Sequence, residues 1–507
     1  MIYQAFSGYN RKNVIVRAAD GERHFGGQGQ INNDTGDGAM AAEDKTGIKK
    51  KNDMMTGHPG RSLLFFALPM ILGNLFQQFY NIVDSIVVGK FVSEEALASV
   101  GASYAITNVF IAVAIGGGVG SAVIISQFLG AGRSGKMKTA VSTTLINFII
   151  ISLLLGTAGF IGNDWILHLL KVPANVFDDA AAYLRIYFIG LPFLFMYNVQ
   201  ASVFNSLGDS RTPLYLLIFS SLLNIVLDLV FVIRFGLGVR GVAYATLIAQ
   251  GISAVISFGL LLRKIKKYPH ERQEFHFYDG KMLHSMTRVA IPSILQQSIV
   301  NMGILLVQSV VNTFGSAVMA GYSAGTRIES LAIVPMTAVG NAMSTFTAQN
   351  MGAGNVKRVK EGYRFCYIIL GCFAVILCVS IQLFGHSFVS AFLDADASSA
   401  AFETGMSYSD FISFFFIFIG LKMTTDGLLR GSGDVVAFTI ANLANLSIRV
   451  FVANYFAPRY GVAFVWYAVP IGWAVNYIIS FSWYLTGHWS RIRLVGRKGA
   501  EVQGSEG

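Results

Sequence analysis

Charge is scarce in this chain. Asp, Glu, Lys and Arg make up only 13% of its 507 residues, about half the share usual in soluble domains. That excludes an ordinary water-dissolved surface and leaves the bilayer as the solvent for most of the chain. Cysteine is nearly absent. Cys366, Cys372 and Cys378 lie in one apolar segment at six-residue steps, which suits small buried hydrophobes. The eight histidines are scattered, with no HxxxH or Cys/His pairing, so a metal-dependent enzyme finds no support. No loop offers a His/Asp/Glu cluster for a membrane-embedded transferase or hydrolase. The chain therefore reads as a non-enzyme without a cofactor. A signal peptide is missing as well: residues 1–58 are polar and Gly-rich, with no basic stretch leading into an apolar core. This extension is expected to be disordered, and Met54 or Met55 is a candidate true start.

What is abundant is hydrophobicity, 53% of residues with a mean hydropathy of +0.55, and it comes in two copies. LPMILGNLFQQ near residue 69 answers IPSILQQSIVN near 292. SQFLGAG (126–132) answers AQNMGAG (348–354), and SLGD (206–209) answers GSGD (431–434). The matched pairs lie 222 to 225 residues apart. Doubled hydrophobic halves are typical of transporters.

Twelve segments reach the roughly 20 apolar residues that a spanning helix needs: 63–89, 100–128, 138–160, 179–204, 213–234, 240–262, 286–312, 321–346, 361–384, 404–428, 436–456 and 462–486. The chain is thus expected to be an all-α integral membrane protein. A first lobe spans 59–262, a linker 263–285, a second lobe 286–488 and a tail 489–507. Positive charge sets the orientation. Lys49 to Lys51, Arg133, Lys136, Arg263 to Lys267, Lys357, Arg358, Lys360 and Arg491 to Lys498 gather on one side. Both termini are then cytoplasmic, in a plasma (inner) membrane. The net charge of +10 follows from topology, and no nucleic-acid partner is expected. An even number of spans per copy makes the repeats parallel, with a substrate cavity between two rocking lobes. Pro69, Pro192, Pro292 and Pro335 are candidate hinges, and the GAG turns read as tight connections without chemistry of their own.

Ionisable groups inside spans cost about 2.5–3.5 kcal/mol each and need a reason. Asp84 lies in the first span and Asp228 in the fifth, with Asn224 four residues before Asp228 on the same face. At about 1.5 Å per residue, Tyr183 and Thr246 reach a similar depth from the fourth and sixth spans. Carboxylate, amide and hydroxyl oxygens suit a hard cation, and a carboxyl pair suits a proton equally. The site residues are therefore Asp84, Asn224, Asp228, Tyr183 and Thr246, holding either Na⁺ or H⁺. The competing reading is a buried network that only pins helices. The repeat weighs against it, since Asp84 maps to Val307, Asp228 to Ala453 and Asn224 to Arg449, so the network is expected in the first lobe only. Gln77, Gln78, Gln296, Gln297 and Asn301 are candidates for lining the substrate cavity.

YNIVDSIVVG (80–89), QFLGAG, NSLGDSRTP (205–213), NIVLDLVF (224–231), GVAYAT (241–246) and QNMGAG resemble the multidrug and toxic compound extrusion (MATE) family. The likeness covers residues 60 to 490, and Asp84 with Asn224 and Asp228 resembles the DinF-like bacterial branch. It implies a V-shaped twelve-helix fold, a cation site in the first lobe, and antiport of amphipathic organic compounds against Na⁺ or H⁺ by a monomer in the lipid bilayer. One departure stands out: the seventh span carries no acidic residue, only Gln296, Gln297, Asn301 and Gln308, so no cation site is expected in the second lobe. That lobe instead carries Arg327, Lys422 and Arg449, with Lys422 spaced to pair with Asp426. A lipid-linked sugar flippase of the same superfamily is the alternative.

Overall fold

The computed structural model describes residues 54–92, 94–269, 274–393, 398–492 and 494–495. Most of the expected N-terminal extension, part of the linker and most of the tail lie outside the described residues. Every regular element among them is helical. The first lobe holds α1 (Pro59–Phe91), α2 (Glu94–Gly130), α3 (Ser134–Leu169), α4 (Ala174–Ser206), α5 (Arg211–Leu229) and α6 (Gly238–Ile265). The second holds α7 (Gly280–Asn312), α8 (Ser316–Gly352), α9 (Val356–Ser390), α10 (Ser399–Ser413), α11 (Phe416–Ser432), α12 (Val435–Tyr460) and α13 (Ala463–Leu485). The helices outrun the expected spans. At about 1.5 Å per residue, the 37 residues of α2 exceed the hydrocarbon thickness of about 30 Å. Large apolar side chains such as Ile161 and Leu383 stand 79% and 70% exposed, an arrangement that lipid stabilises and water would not.

Among the described residues, eleven helices are long and apolar enough to span individually, and α10 with α11 passes only as a pair bent by 54°. The span expected at 404–428 is therefore a broken one. No proline sits at the break. The freed Asp410 carbonyl accepts from the Ser413 hydroxyl at 2.8 Å and from Gln382 Nε2 of α9 at 3.2 Å. Gln382 also donates to the Ser413 hydroxyl at 3.0 Å. Side chains that enter the backbone ladder in this way are a recognised cause of sharp kinks.

The first helix of each copy reaches across. Helix α1 packs on α5 of its own lobe and on α8 and α9 of the other, and α7 packs on α12 and on α2. The duplicated motifs meet where the lobes cross at the end carrying the GAG turns, the basic end. Gln127 Nε2 donates to the Gly431 and Ser432 carbonyls at 3.2 and 3.4 Å, and Gln349 Nε2 donates to the Ser206 carbonyl at 2.8 Å. Ser126 Oγ joins the same Ser206 carbonyl at 3.0 Å. A Cβ on Gly130 would stand 1.9 Å from the Gln349 carbonyl oxygen, and one on Gly352 would stand 2.0 Å from that of Gln127. Gln127 therefore clasps the GSGD turn of the second lobe, and Gln349 clasps the SLGD turn of the first. The turns do form, with Gly132 and Gly354 at φ +69° and +74°. The expectation that they are connections only is corrected: the first glycine of each motif is what allows α2 and α8 to touch. Val123, Val289, Ala348 and Val435, drawn from both lobes, pack beside the clasp with Leu494.

Asp209, in the SLGD turn, caps α5 by accepting from the Thr212 backbone N–H at 3.1 Å and its hydroxyl at 2.7 Å, and it pairs with Lys264. Burial pushes its carboxyl up, but the Lys264 ammonium and the Thr212 hydrogen bonds outweigh this and hold it below the ordinary value of 3.8. Its folded value thus lies below its unfolded one. The stabilisation is complete above pH 3.8 and fades as pH falls through the folded value. Asp209→Asn is therefore expected to lower stability by about 2 kcal/mol at neutral pH. The Tm difference from wild type should close on acidification, as thermal unfolding in detergent across a pH series would show. A gap that widens below pH 4 would contradict this.

Candidate functional site

Helix α5 carries Asn224 and Asp228 four residues apart, both buried, at 2% and 0% exposure. Helix α1 repeats that spacing with Tyr80 and Asp84. The packing of α1 on α5 turns these two faces together, and the Asp84 and Asp228 carboxyls come within hydrogen-bonding reach of each other. The Asn224 amide orientation that satisfies its neighbours donates to Asp228 Oδ2 at 3.1 Å and to the Tyr80 hydroxyl at 2.6 Å. In that orientation its carbonyl accepts from the Thr246 backbone N–H at 3.1 Å. The Thr246 side chain lies beside the Tyr80 hydroxyl, and Tyr183 of α4 lies close enough to both carboxylates to feel their charge. All five predicted cation-site residues, Asp84, Tyr183, Asn224, Asp228 and Thr246, thus lie in one cluster. Directly after Asp228 the chain passes into a π-helical turn, Val230–Arg234, a local irregularity frequent at functional positions.

Two features set the chemistry. Asp84 Oδ1 and Asp228 Oδ1 are buried without any hydrogen-bond partner, and among the described residues no ion pair reaches either carboxylate. Two adjacent unit charges repel by about 4 kcal/mol at 4 Å and an effective dielectric of about 20. A proton or a hard cation relieves that repulsion, and unpartnered carboxylate oxygens beside an amide and hydroxyls form a donor set that fits either. Beside the cluster lies a polar cavity of about 60 Å³ lined by Gln77, Tyr80, Tyr197, Ser221, Asn224 and Thr246 among others.

The proposed cavity residues divide. Gln77 lines this first-lobe cavity and donates to Asn81 Oδ1 at 3.1 Å. Gln78, Gln296, Gln297 and Asn301 are half-buried on α1 and α7, outside its lining. Tyr80 escaped the sequence reading; its signal was the four-residue spacing to Asp84.

In the second lobe Lys422 pairs with Asp426 at 3.1 Å, as its spacing suggested. Asp426 also accepts from Ser480 Oγ at 2.9 Å and Asn442 Nδ2 at 3.4 Å, and Arg327 is exposed. The expectation of a polar network in the first lobe only needs correcting. Glu329 of α8, absent from the sequence reading, is buried at 9% exposure and accepts from the fully buried Tyr408 hydroxyl. The Arg449 guanidinium acts on both from α12. Matching positions between the copies missed this carboxylate because it comes from the second helix of its lobe, whereas the first lobe takes its carboxylates from the first and fifth.

The MatE family model matches residues 69–230 and again 292–456, one match in each copy of the repeat. The probable multidrug resistance protein YpnP of Bacillus subtilis (strain 168) is 29% identical over 450 residues, covering 89% of this chain and 100% of that protein. The probable multidrug resistance protein YoeA of the same organism is 30% identical over 447 residues, covering 84% of this chain and 93% of that protein. A solved structure described as the outward-facing conformation of a multidrug resistance MATE family transporter of the MOP superfamily matches with a TM-score of 0.81 at 24% identity. It covers 88% of this chain and 99% of that one.

Proposed function

We propose that this chain, which belongs to the MATE family of multidrug efflux transporters, is a secondary antiporter that exports amphipathic organic compounds in exchange for inward Na⁺ or H⁺. The observation that carries the reading is the carboxylate pair of Asp84 and Asp228, each with a buried, unpartnered oxygen and, among the described residues, no ion pair. In this reading the ion enters from outside and relieves the repulsion within the pair, which changes how α1 sits on α5 and favours outward release of substrate. Substrate from the cytoplasm or inner leaflet then resets the cycle. The positive charge around the GAG turns supports a cytoplasmic location for that end, and in that orientation the clasp of Gln127 and Gln349 closes the cytoplasmic side.

The energy suffices. One charge moving inward across 100 mV releases about 2.3 kcal/mol, equivalent to roughly 50-fold accumulation. The test is efflux from reconstituted vesicles with Na⁺ and pH gradients imposed separately, over a panel of cationic and anionic dyes. Efflux is expected to follow one of the two gradients. Efflux at the same rate with both gradients collapsed would refute the proposal.

A further inference from the structure

The two duplicated turns that meet at the clasp are finished differently. In the first, Gly208 (φ +77°) is open: among the described residues a Cβ there would meet only Gln349 Nε2, at 3.7 Å. Its counterpart on the 225-residue offset, Gly433 (φ +89°), has no such room, because a Cβ there would stand 2.3 Å from Leu494 Cδ1. Leu494 arrives from the end of the second lobe. After α13 the chain makes a 3₁₀ turn, His488–Ser490, that is fastened to the same GSGD motif. Asp434, buried in that motif, accepts from His488 Nδ1 and from Trp483 Nε1, both at 2.8 Å. Trp489 is buried too, stacks on Tyr484 at 5.6 Å and donates through Nε1 to the Tyr484 carbonyl at 3.2 Å. Beyond this anchor the chain crosses to the other lobe. Leu494 packs on the cluster of Val123, Val289, Ala348 and Val435, drawn from both lobes. Leu494 and Val495 also pack on the apolar core that runs through α2, α3, α4 and α6 of the first lobe.

The GSGD turn is thus held from two sides. Gln127 grips it from the first lobe, and the chain's own last segment grips it from the second and carries apolar side chains across. When the basic end opens, the anchor can travel with the second lobe, since Asp434, Trp483, Tyr484, His488 and Trp489 all belong to it. What must break is the contact of Leu494 and Val495 with the first lobe. Apolar side chains drawn out of a packed interface into water are disfavoured in proportion to the area exposed, so this contact opposes opening. We propose that the segment carrying His488, Trp489 and Leu494 is a strap, anchored on Asp434 and closed by Leu494, that biases the transporter toward the state in which the basic end is sealed. Among the described residues the first-lobe turn has no such strap: Asp209 pairs with Lys264 of its own lobe, and Gly208 stays uncovered. The device is one-sided, so it favours one state of the cycle without adding a second clasp.

The measurement is labelling by an impermeant maleimide, applied from the basic side to the reconstituted full chain with Cys366, Cys372 and Cys378 replaced by alanine. Ser206→Cys is the reporter. Ser206 is fully buried on the first-lobe side of the clasp, and its hydrogen bonds run to α2, to α8 and within α4, none to the strap. Adding Leu494→Ala should speed its labelling at least about tenfold. Adding Leu494→Met, which conserves volume, should leave the rate unchanged. An unchanged rate with Leu494→Ala overturns the proposal. A second arm holds even if the alanine variant fails to fold: Leu494→Cys with Val123→Cys, joined by a short bismaleimide. Joining should stop efflux that the same pair supports before the reagent is added, while Leu494→Cys alone should keep its efflux after treatment. Failure of the pair to join would place Leu494 away from the first lobe, and undiminished efflux after joining would show that the contact never has to break; either overturns the proposal. The labelling arm needs no ion gradient, so it reads out the strap whether or not the antiport reading holds.

Discussion

Asp228→Asn is expected to reduce substrate accumulation in energised vesicles from roughly 50-fold toward unity, the ratio that one charge falling through 100 mV sustains. The substitution keeps the volume and leaves an acceptor oxygen for Asn224, so what it removes is the charge. Asp84→Asn should give the same loss, because the ion site takes oxygens and charge from both carboxylates and either one alone holds the ion too weakly. Stability separates this reading from a network that merely pins helices. Removing one partner of a satisfied buried network costs about 1–3 kcal/mol. Here the removed charge repels Asp84 and its Oδ1 has no partner, so in ion-free buffer the Tm should stay level or rise while efflux disappears. Full gradient-driven efflux in both variants would refute the site. So would a joint fall of Tm and efflux that a neutralising pH restores in neither.

The first-lobe cluster was legible in the sequence for a physical reason. A carboxylate in an apolar run is conspicuous, and the spacing of Asn224 and Asp228 fixes a shared helix face before any fold is known. Tyr80 was not legible, since a tyrosine among 20 becomes informative only when its face is tied to Asp84. Glu329 lies 79 residues from Tyr408 and further still from Arg449, so only the packing of the second lobe makes them neighbours. Nor could apolar content reveal the bend between α10 and α11, which depends on Gln382 of another helix reaching the Asp410 carbonyl. The repeat had singled out both QxxGAG motifs, yet a matched motif cannot distinguish a turn from a crossing. Gln127 and Gly431 are 304 residues apart, and their bond exists only once the lobes meet.

That crossing supports the second large prediction. Gly130→Ala is expected to abolish efflux and to hold the protein open at the basic end, which is cytoplasmic in the proposed orientation. On helix propensity alone the change should stabilise by about 0.5–1 kcal/mol, so any loss must come from contact. The new methyl would stand 1.9 Å from the Gln349 carbonyl oxygen, far inside van der Waals distance, and the obstacle is backbone that cannot swing aside. Helix α8 must back away, which breaks the Gln349 bond to Ser206 and the Gln127 bonds to Gly431 and Ser432. Ser432 is fully buried in the clasped state. With Cys366, Cys372 and Cys378 replaced by alanine, Ser432→Cys should react slowly with an impermeant maleimide applied from the basic side. It should react at least about tenfold faster once Gly130→Ala is added, as an opening free-energy change of about 1.4 kcal/mol or more requires. Gly352→Ala should do the same, because its methyl would meet the Gln127 carbonyl oxygen at 2.0 Å. Gly259→Ala is the control, since a Cβ there meets nothing within 4 Å and should leave both labelling and efflux unchanged. If Gly130→Ala labels and transports like that control, α2 and α8 do not need to touch during the cycle, and the duplicated glutamines are not what seals this end.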